Sequence, residues 1–393
     1  MPVTRKFWVA NNILSPWDSS NWSYLSGGPA GAPVPGSSDI AVFDSSSIGS
    51  CLTSSEVNIA GLELQWGFHS SVIQGPYPMT IGLGNMILDG GVFTGASHDI
   101  TVMGSFYLTA SEFKSTQGIL DVRNEFYYYD TTVVPENLTE IYSDEFPLTA
   151  LDIQNKYITL DPAKIDDPTG NVAVNIVGGG SQYNGVDYFI DENLLRWDGM
   201  ELEGKLIEGD ILRVIYDRRY EPGSFYHCNG KVKIRCTGNR MHGGGAHFYD
   251  LEFSDIEHQI NALTTIDSSC YVSHYLFLSS GGGLTEGNDA TIFISGDMTG
   301  ASTFGSLSRQ NNALIDMTSS RVGASPTQRI FWEDGAVFPS LIIDKHNPAE
   351  LPYRNVRAIK DQTGDLIFSG NVTIHDGTFN LCGHNLRVGI LNV

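Results

Sequence analysis

The chain has 393 residues, of which 41% are hydrophobic, 11% aromatic and only 17% charged. That balance excludes an intrinsically disordered chain, which would show more charge and fewer aromatics. Forty-three glycines with so little charge fit a β-rich fold with many turns. The net charge, 23 − 45 = −22, repels nucleic acid and anionic membranes, so neither is an expected partner.

No apolar run approaches the roughly 18 residues of a membrane span, so no membrane insertion is expected. The opening MPVTRKFWVANN carries basic residues, but its apolar patch is too short for a signal peptide. The expectation is a protein that stays where it is made or is released by lysis. The five cysteines, Cys51, Cys228, Cys236, Cys270 and Cys382, are too sparse and odd in number for a disulfide framework. Mostly reduced thiols are expected. The one pair with a route to a bridge is Cys228–Cys236, where HCNGKVKIRC reads as a hairpin turning at Asn229-Gly230.

In chain order, residues 21–44, NWSYLSGGPAGAPVPGSSDIAVFD, hold too much Gly and Pro for a helix yet are framed by aromatics that favour burial. Next, Met79, Met86, Phe93 and Ile100 recur at seven-residue steps with glycines between them. Those glycines would break a helix, so the step reads as strand, corner, strand. The same grammar returns at 370–389, GNVTIHDGTFNLCGHNLRVG, with Val372, Phe379 and Leu386 also seven apart. Strands this short stack best turn on turn in a β-solenoid. An all-β sandwich of tight hairpins is the alternative.

The middle differs. Strands are expected at Tyr157–Leu160, Val172–Val177, on either side of an Asp191–Asn193 turn, and at Ile211–Tyr216. Together they suggest a small antiparallel β-sandwich. VPENLTEIYSDEFPLTA before it and DRRYEPGS after it read as linkers. The expected organisation is therefore all-β: a cap and β-solenoid-like part over 1–149, an inserted β-sandwich over 150–220, and a second β-solenoid-like part over 221–393.

Two blocks carry a resemblance. Arg5, Trp8, Val9, Trp17, Asp18, Asn21, Trp22, Ser23, Pro35, Asp39, Phe43 and Asp44 match a block that resembles the opening of phage virion proteins. A related pattern opens β-helices of bacterial surface proteins. Physically, Trp8, Trp17, Trp22 and Phe43 would plug the open end of a first coil. A glycan-stacking platform is the other use for such rings. The 151–220 block, with Gly185-Val186-Asp187-Tyr188 and Leu206, Gly209, Asp210, Leu212, Arg213, Val214 and Tyr216, resembles a module of phage structural proteins. The resemblance implies a non-enzymatic structural protein of a tailed-phage virion, in a tail fibre or baseplate, that presents a surface to the host. Its implied partners are other virion proteins of tail or capsid, host-surface glycan and further copies of itself. A capsid decoration protein or head fibre is the first alternative, and a tailspike-like polysaccharide depolymerase the second.

Chemical motifs are weak. Cys228, Cys236, His242 and His247 lack the tight knuckle spacing of structural zinc. The pairs Asp166-Asp167, Asp191-Glu192 and Glu201 with Glu203 read as solvated turns rather than the facing acids of a glycosidase. Leu160–Asn171 lacks the ligand alternation of a calcium loop. No catalytic, cofactor-binding or metal-binding residue is expected. The last coil, ending in GILNV, is expected to pack against another chain because a bare strand edge is adhesive.

Overall fold

The structure, a computed structural model, describes residues 3–10, 13–128, 140–160, 172–176, 181–182, 186–191, 193–218, 223–236, 238–255, 263–279, 283–287, 290–301, 304, 313–318, 327–344, 355–359 and 364–393. It is nearly all β and contains a parallel β-solenoid of about 11 turns. Two compact units are present: residues 1–133 with 222–393, and residues 134–221.

Each early coil of the solenoid lays one short strand on each of three faces. Met79–Ile81 lies on the third face, Met86–Leu88 on the first, Val92–Thr94 on the second and Ile100–Val102 back on the third. The seven-residue step is thus the length of one face plus one corner. Between Ile40 and Tyr128 parallel partners are separated by 20 to 24 residues, as in Met86↔Phe106 and Leu62↔Met86. Alternation within a strand sends two side chains inward, as the buried–intermediate–buried pattern of Met79–Ile81 shows. At this spacing like residues stack: Phe106 on Phe126 at 5.0 Å, Tyr107 on Tyr127 at 5.3 Å. Corners bring backbones close. At Gly91, with φ +59°, a Cβ would lie 2.5 Å from the Phe68 ring, so only glycine fits both the conformation and the space.

One hydrophobic core runs from Trp8 to Val372, joining the two solenoid-like parts into a single body. The coils on either side of the insertion pair directly, Glu112–Lys114 with Ser224–Tyr226 and Ile119–Val122 with Lys231–Cys236. The insertion occupies a corner. Phe126–Tyr128 lies on the first face and Ser224–Tyr226 on the second, and Tyr128 Oη donates to Gly223 O at 3.1 Å.

The inserted unit holds two antiparallel sheets over its own core, which includes Tyr188, Leu195, Trp197, Leu212 and Val214. It begins earlier than expected. The segment read as a linker forms the strand Glu140–Pro147, which pairs along its whole length with Ile211–Arg218. Charge and proline hid a strand whose partner lies about 70 residues away. A short helix, Ala150–Asn155, was also not expected; Thr149 and Asp152 cap it reciprocally. The hairpin expected at Asn229-Gly230 is instead a corner. Its flanking strands lie in different sheets, Cys228 and Asn229 take positive φ, and Cys228 is a free thiol.

The N-terminal cap is a buried ring cluster. Trp8 and Trp22 meet at 5.1 Å, Trp17 and Trp22 at 4.9 Å, and Trp22 and Phe43 at 5.7 Å, all edge to face. Trp8 Nε1 donates to Gly49 O and Trp22 Nε1 to Trp17 O, so the burial strands neither indole N–H. The Gly/Pro segment returns over Trp22, whose carbonyl accepts from the N–H groups of Gly31 and Ala32. At the other end, Leu386 and Val388 pack partly against the core while Ile390, Leu391 and Val393 face solvent.

Ion pairs link coils on the outer face. Lys231 and Lys233 each reach Glu252 at 2.9 Å. Burial pushes the Glu252 carboxyl up, but the hydrogen bonds from the two lysines more than offset this and hold it below its ordinary 4.5. A depressed carboxyl contributes its stability above the unfolded value and loses it as pH falls through the folded value. Denaturant titrations from about pH 6 to about pH 3 should therefore show wild type losing its advantage over Glu252→Gln as acid is added. Trp22→Ala should cost about 3–5 kcal/mol in the same assay, because three aromatic neighbours lose their packing.

Candidate functional site

The third face changes character after residue 231. Its strands lengthen to nine residues, His247–Asp255 and Cys270–Leu278. Between Phe248↔Val272 and Asp250↔Tyr275 the later strand holds one extra residue, a bulge at Ser273-His274. The next coil answers with a break: Thr291–Ile294 pairs with the start of Cys270–Leu278, and Asp297–Gly300 with its end. Ser295 and Gly296 span the gap. A Cβ at Gly296 would fall 1.8 Å from His274 O, so glycine is required for the two backbones to approach.

Bulge and break together leave a notch of about 230 Å³, lined by Ser273, His274, Tyr275, Ser295, Gly296, Asp297 and Arg329. Asp297 is held by Arg329 through the backbone N–H at 2.8 Å, Nε at 3.0 Å and Nη2 at 2.8 Å. Beside it, Asp250 Oδ1 accepts from His274 Nδ1 at 2.9 Å and from the Tyr275 N–H at 3.1 Å. His274 ends a ladder of rings running up the face: His227 to Tyr249 at 5.7 Å, then Tyr249 to His274 at 4.5 Å. Burial pushes the His227 imidazole below its ordinary 6.5, which favours the neutral ring in that stack. The next level offers Gly296 and no side chain, so the ladder stops at the notch.

Gln328 lies fully buried beneath the break. Its Nε2 donates to Ile294 O and to Gly296 O, both at 2.8 Å. One side chain thus satisfies two carbonyls that the interrupted strand leaves without a ladder partner.

The residues weighed from sequence do not converge here. Trp8, Trp17 and Trp22 are buried, which overturns a glycan-stacking role for them. His242 stacks on Tyr127 of the first face and His247 on Tyr271 of the third, so the zinc set is dispersed. Among the described residues no group of three His, Cys, Asp or Glu side chains is placed to hold a metal ion. Glu201 pairs with Lys205 and Glu203 with Lys156, on separate lysines. Asp191 faces Arg196 at 3.7 Å. Asp166, Asp167, Glu192 and the side chain of Cys236 lie outside the described residues, as does the 161–171 loop. The notch residues were missed because they come from three coils. The one local signal was SGD at 295–297, a glycine flanked by polar residues after a clear strand.

Gln328→Leu should destabilise the solenoid by about 2 kcal/mol or more, since two buried carbonyls lose their donor. Equilibrium unfolding checks the magnitude. Hydrogen exchange should show faster exchange first at Ser295, whose N–H is bonded to Val272 O across the break.

No protein-family model, curated protein or solved structure matches this chain.

Proposed function

We propose that this chain is a structural component of a tailed-phage particle, tail-fibre or baseplate associated, which presents the outer faces of a β-solenoid to the host. The observation that carries this reading is the solenoid itself. Its first coil is sealed by the same Trp8, Trp17, Trp22 and Phe43 that resemble the opening of virion proteins. A fold of this kind offers a long, rigid, strand-built surface at little cost in loop entropy. The notch fits binding better than catalysis: Asp297 is committed on both oxygens to Arg329, and Asp250 to His274 and a backbone N–H. A host-surface glycan is the ligand class proposed for this outer face, and other virion proteins are the proposed partners.

Gold-labelled antibody against this chain, applied to purified particles and viewed by electron microscopy, should mark the tail or its fibres. Label spread over the head would favour the capsid-decoration alternative. No label on any particle would overturn the virion assignment. Loss of polysaccharide viscosity on adding purified protein would instead favour the depolymerase.

A further inference from the structure

The notch has two kinds of wall, and together they specify what it takes. One wall is a ring face. His274 stacks on Tyr249 at 4.5 Å with one side of its imidazole, and Gly296 supplies no side chain against the other. The vacancy is one level of the ladder deep, about 4.8 Å, the space a ring would fill if the stack continued. Hydroxyls of Ser273, Ser295 and Tyr275 border it, and no aliphatic residue lines it. Its volume of about 230 Å³ lies below the roughly 300–1,000 Å³ of pockets for larger ligands, so it holds one sugar-sized ring and not a chain of them. A pyranose, with an apolar ring face and a rim of hydroxyls, suits these walls better than an apolar side chain of a protein partner.

The other wall is cationic. The carboxylates are recessed: the side chains of Asp250 and Asp297 are 18% and 8% exposed, and each is already bonded. Arg329 is 47% exposed. Arg357 stands in register beside it on the next coil and faces solvent. The Arg357 Nε donates to Cys382 Sγ at 3.1 Å, and among the described residues no carboxylate pairs with it. Two guanidinium groups on neighbouring strands thus have one carboxylate, Asp297, between them. The planar fork of an arginine matches a carboxylate through two parallel bonds. The net charge of −22 repels a polyanion, so the matching anion is a single group on an otherwise neutral ligand.

We propose that the notch seats one carboxylate-bearing sugar unit of a mostly neutral glycan, its ring face on His274 and its carboxylate on Arg329 and Arg357. This rests on the glycan reading of the outer face and names the unit that the notch selects.

Saturation-transfer NMR on the full chain tests it, with the methyl glycosides of glucuronic and galacturonic acid and their neutral counterparts, those of glucose and galactose. The acids should bind about 10-fold or more tighter than the neutral sugars, the yield of one charge-assisted pair. Arg357→Gln should bring the acids down to the level of the neutral sugars, and, because Arg357 is exposed, the variant should melt as wild type does. His274→Ala should weaken acids and neutral sugars alike. Equal binding of acids and neutral sugars, or a preference that survives in Arg357→Gln, would overturn the acidic unit while leaving a glycan at the notch. Full displacement of the acids by an equal concentration of inorganic phosphate would overturn it too, as the mark of a bare anion site. Binding of no sugar would overturn the glycan reading of this face, and the proposal with it.

Discussion

Everything in the solenoid depends on parallel pairing between one coil and the next. A three-residue strand such as Met86–Leu88 has no stability alone. It is held because Leu62–Leu64 precedes it and Phe106–Leu108 follows it, each in register. Every face is therefore a one-dimensional stack. Its interior positions are satisfied on both sides and its ends are not.

Three features follow from that constraint. At the first coil the edge is covered by the antiparallel strand Trp22–Ser23 and the core end is closed by the tryptophan cluster. Corners do not take part in the stack, so one of them can carry an insertion of an independent antiparallel unit while Phe113 still stacks toward Phe225 at 5.6 Å. And wherever a coil fails to match its neighbour, the mismatch is left as a feature. The bulge at Ser273-His274 and the break at Ser295-Gly296 are such a mismatch, and the notch is what remains of the missing side chain. Gln328 supplies inside the core the bonds that the interrupted ladder lacks.

Much of this was legible in sequence where the physics is local. The seven-residue step of Met79, Met86, Phe93 and Ile100 names the inward positions, and Gly91 marks a corner. Trp8, Trp17 and Trp22 signalled burial through size alone. The strand Glu140–Pro147 was not legible. Its residues, EIYSDEFP, carry charge and a terminal proline, and only the distant partner Ile211–Arg218 makes them a strand. The Cys228-Asn229-Gly230 corner misled for the opposite reason: its local signal suits a hairpin, and only the stacking of Lys231–Cys236 on Ile119–Val122 makes it a corner.

By itself the sequence determined the all-β class, the short strands with glycine corners, the sealed N-terminal end and the presence of a differently built middle. Each of these rests on residue size, alternation and backbone preference, which act within a few positions of the chain. Tertiary structure alone decided that the two outer parts form one stack, where the insertion begins, and that Asp297, Arg329 and His274 share a notch. These last three residues span 56 positions, counted 329 − 274 + 1, and lie on three successive coils. Only register between coils brings them together, and register is set by pairing across about 20 residues or more.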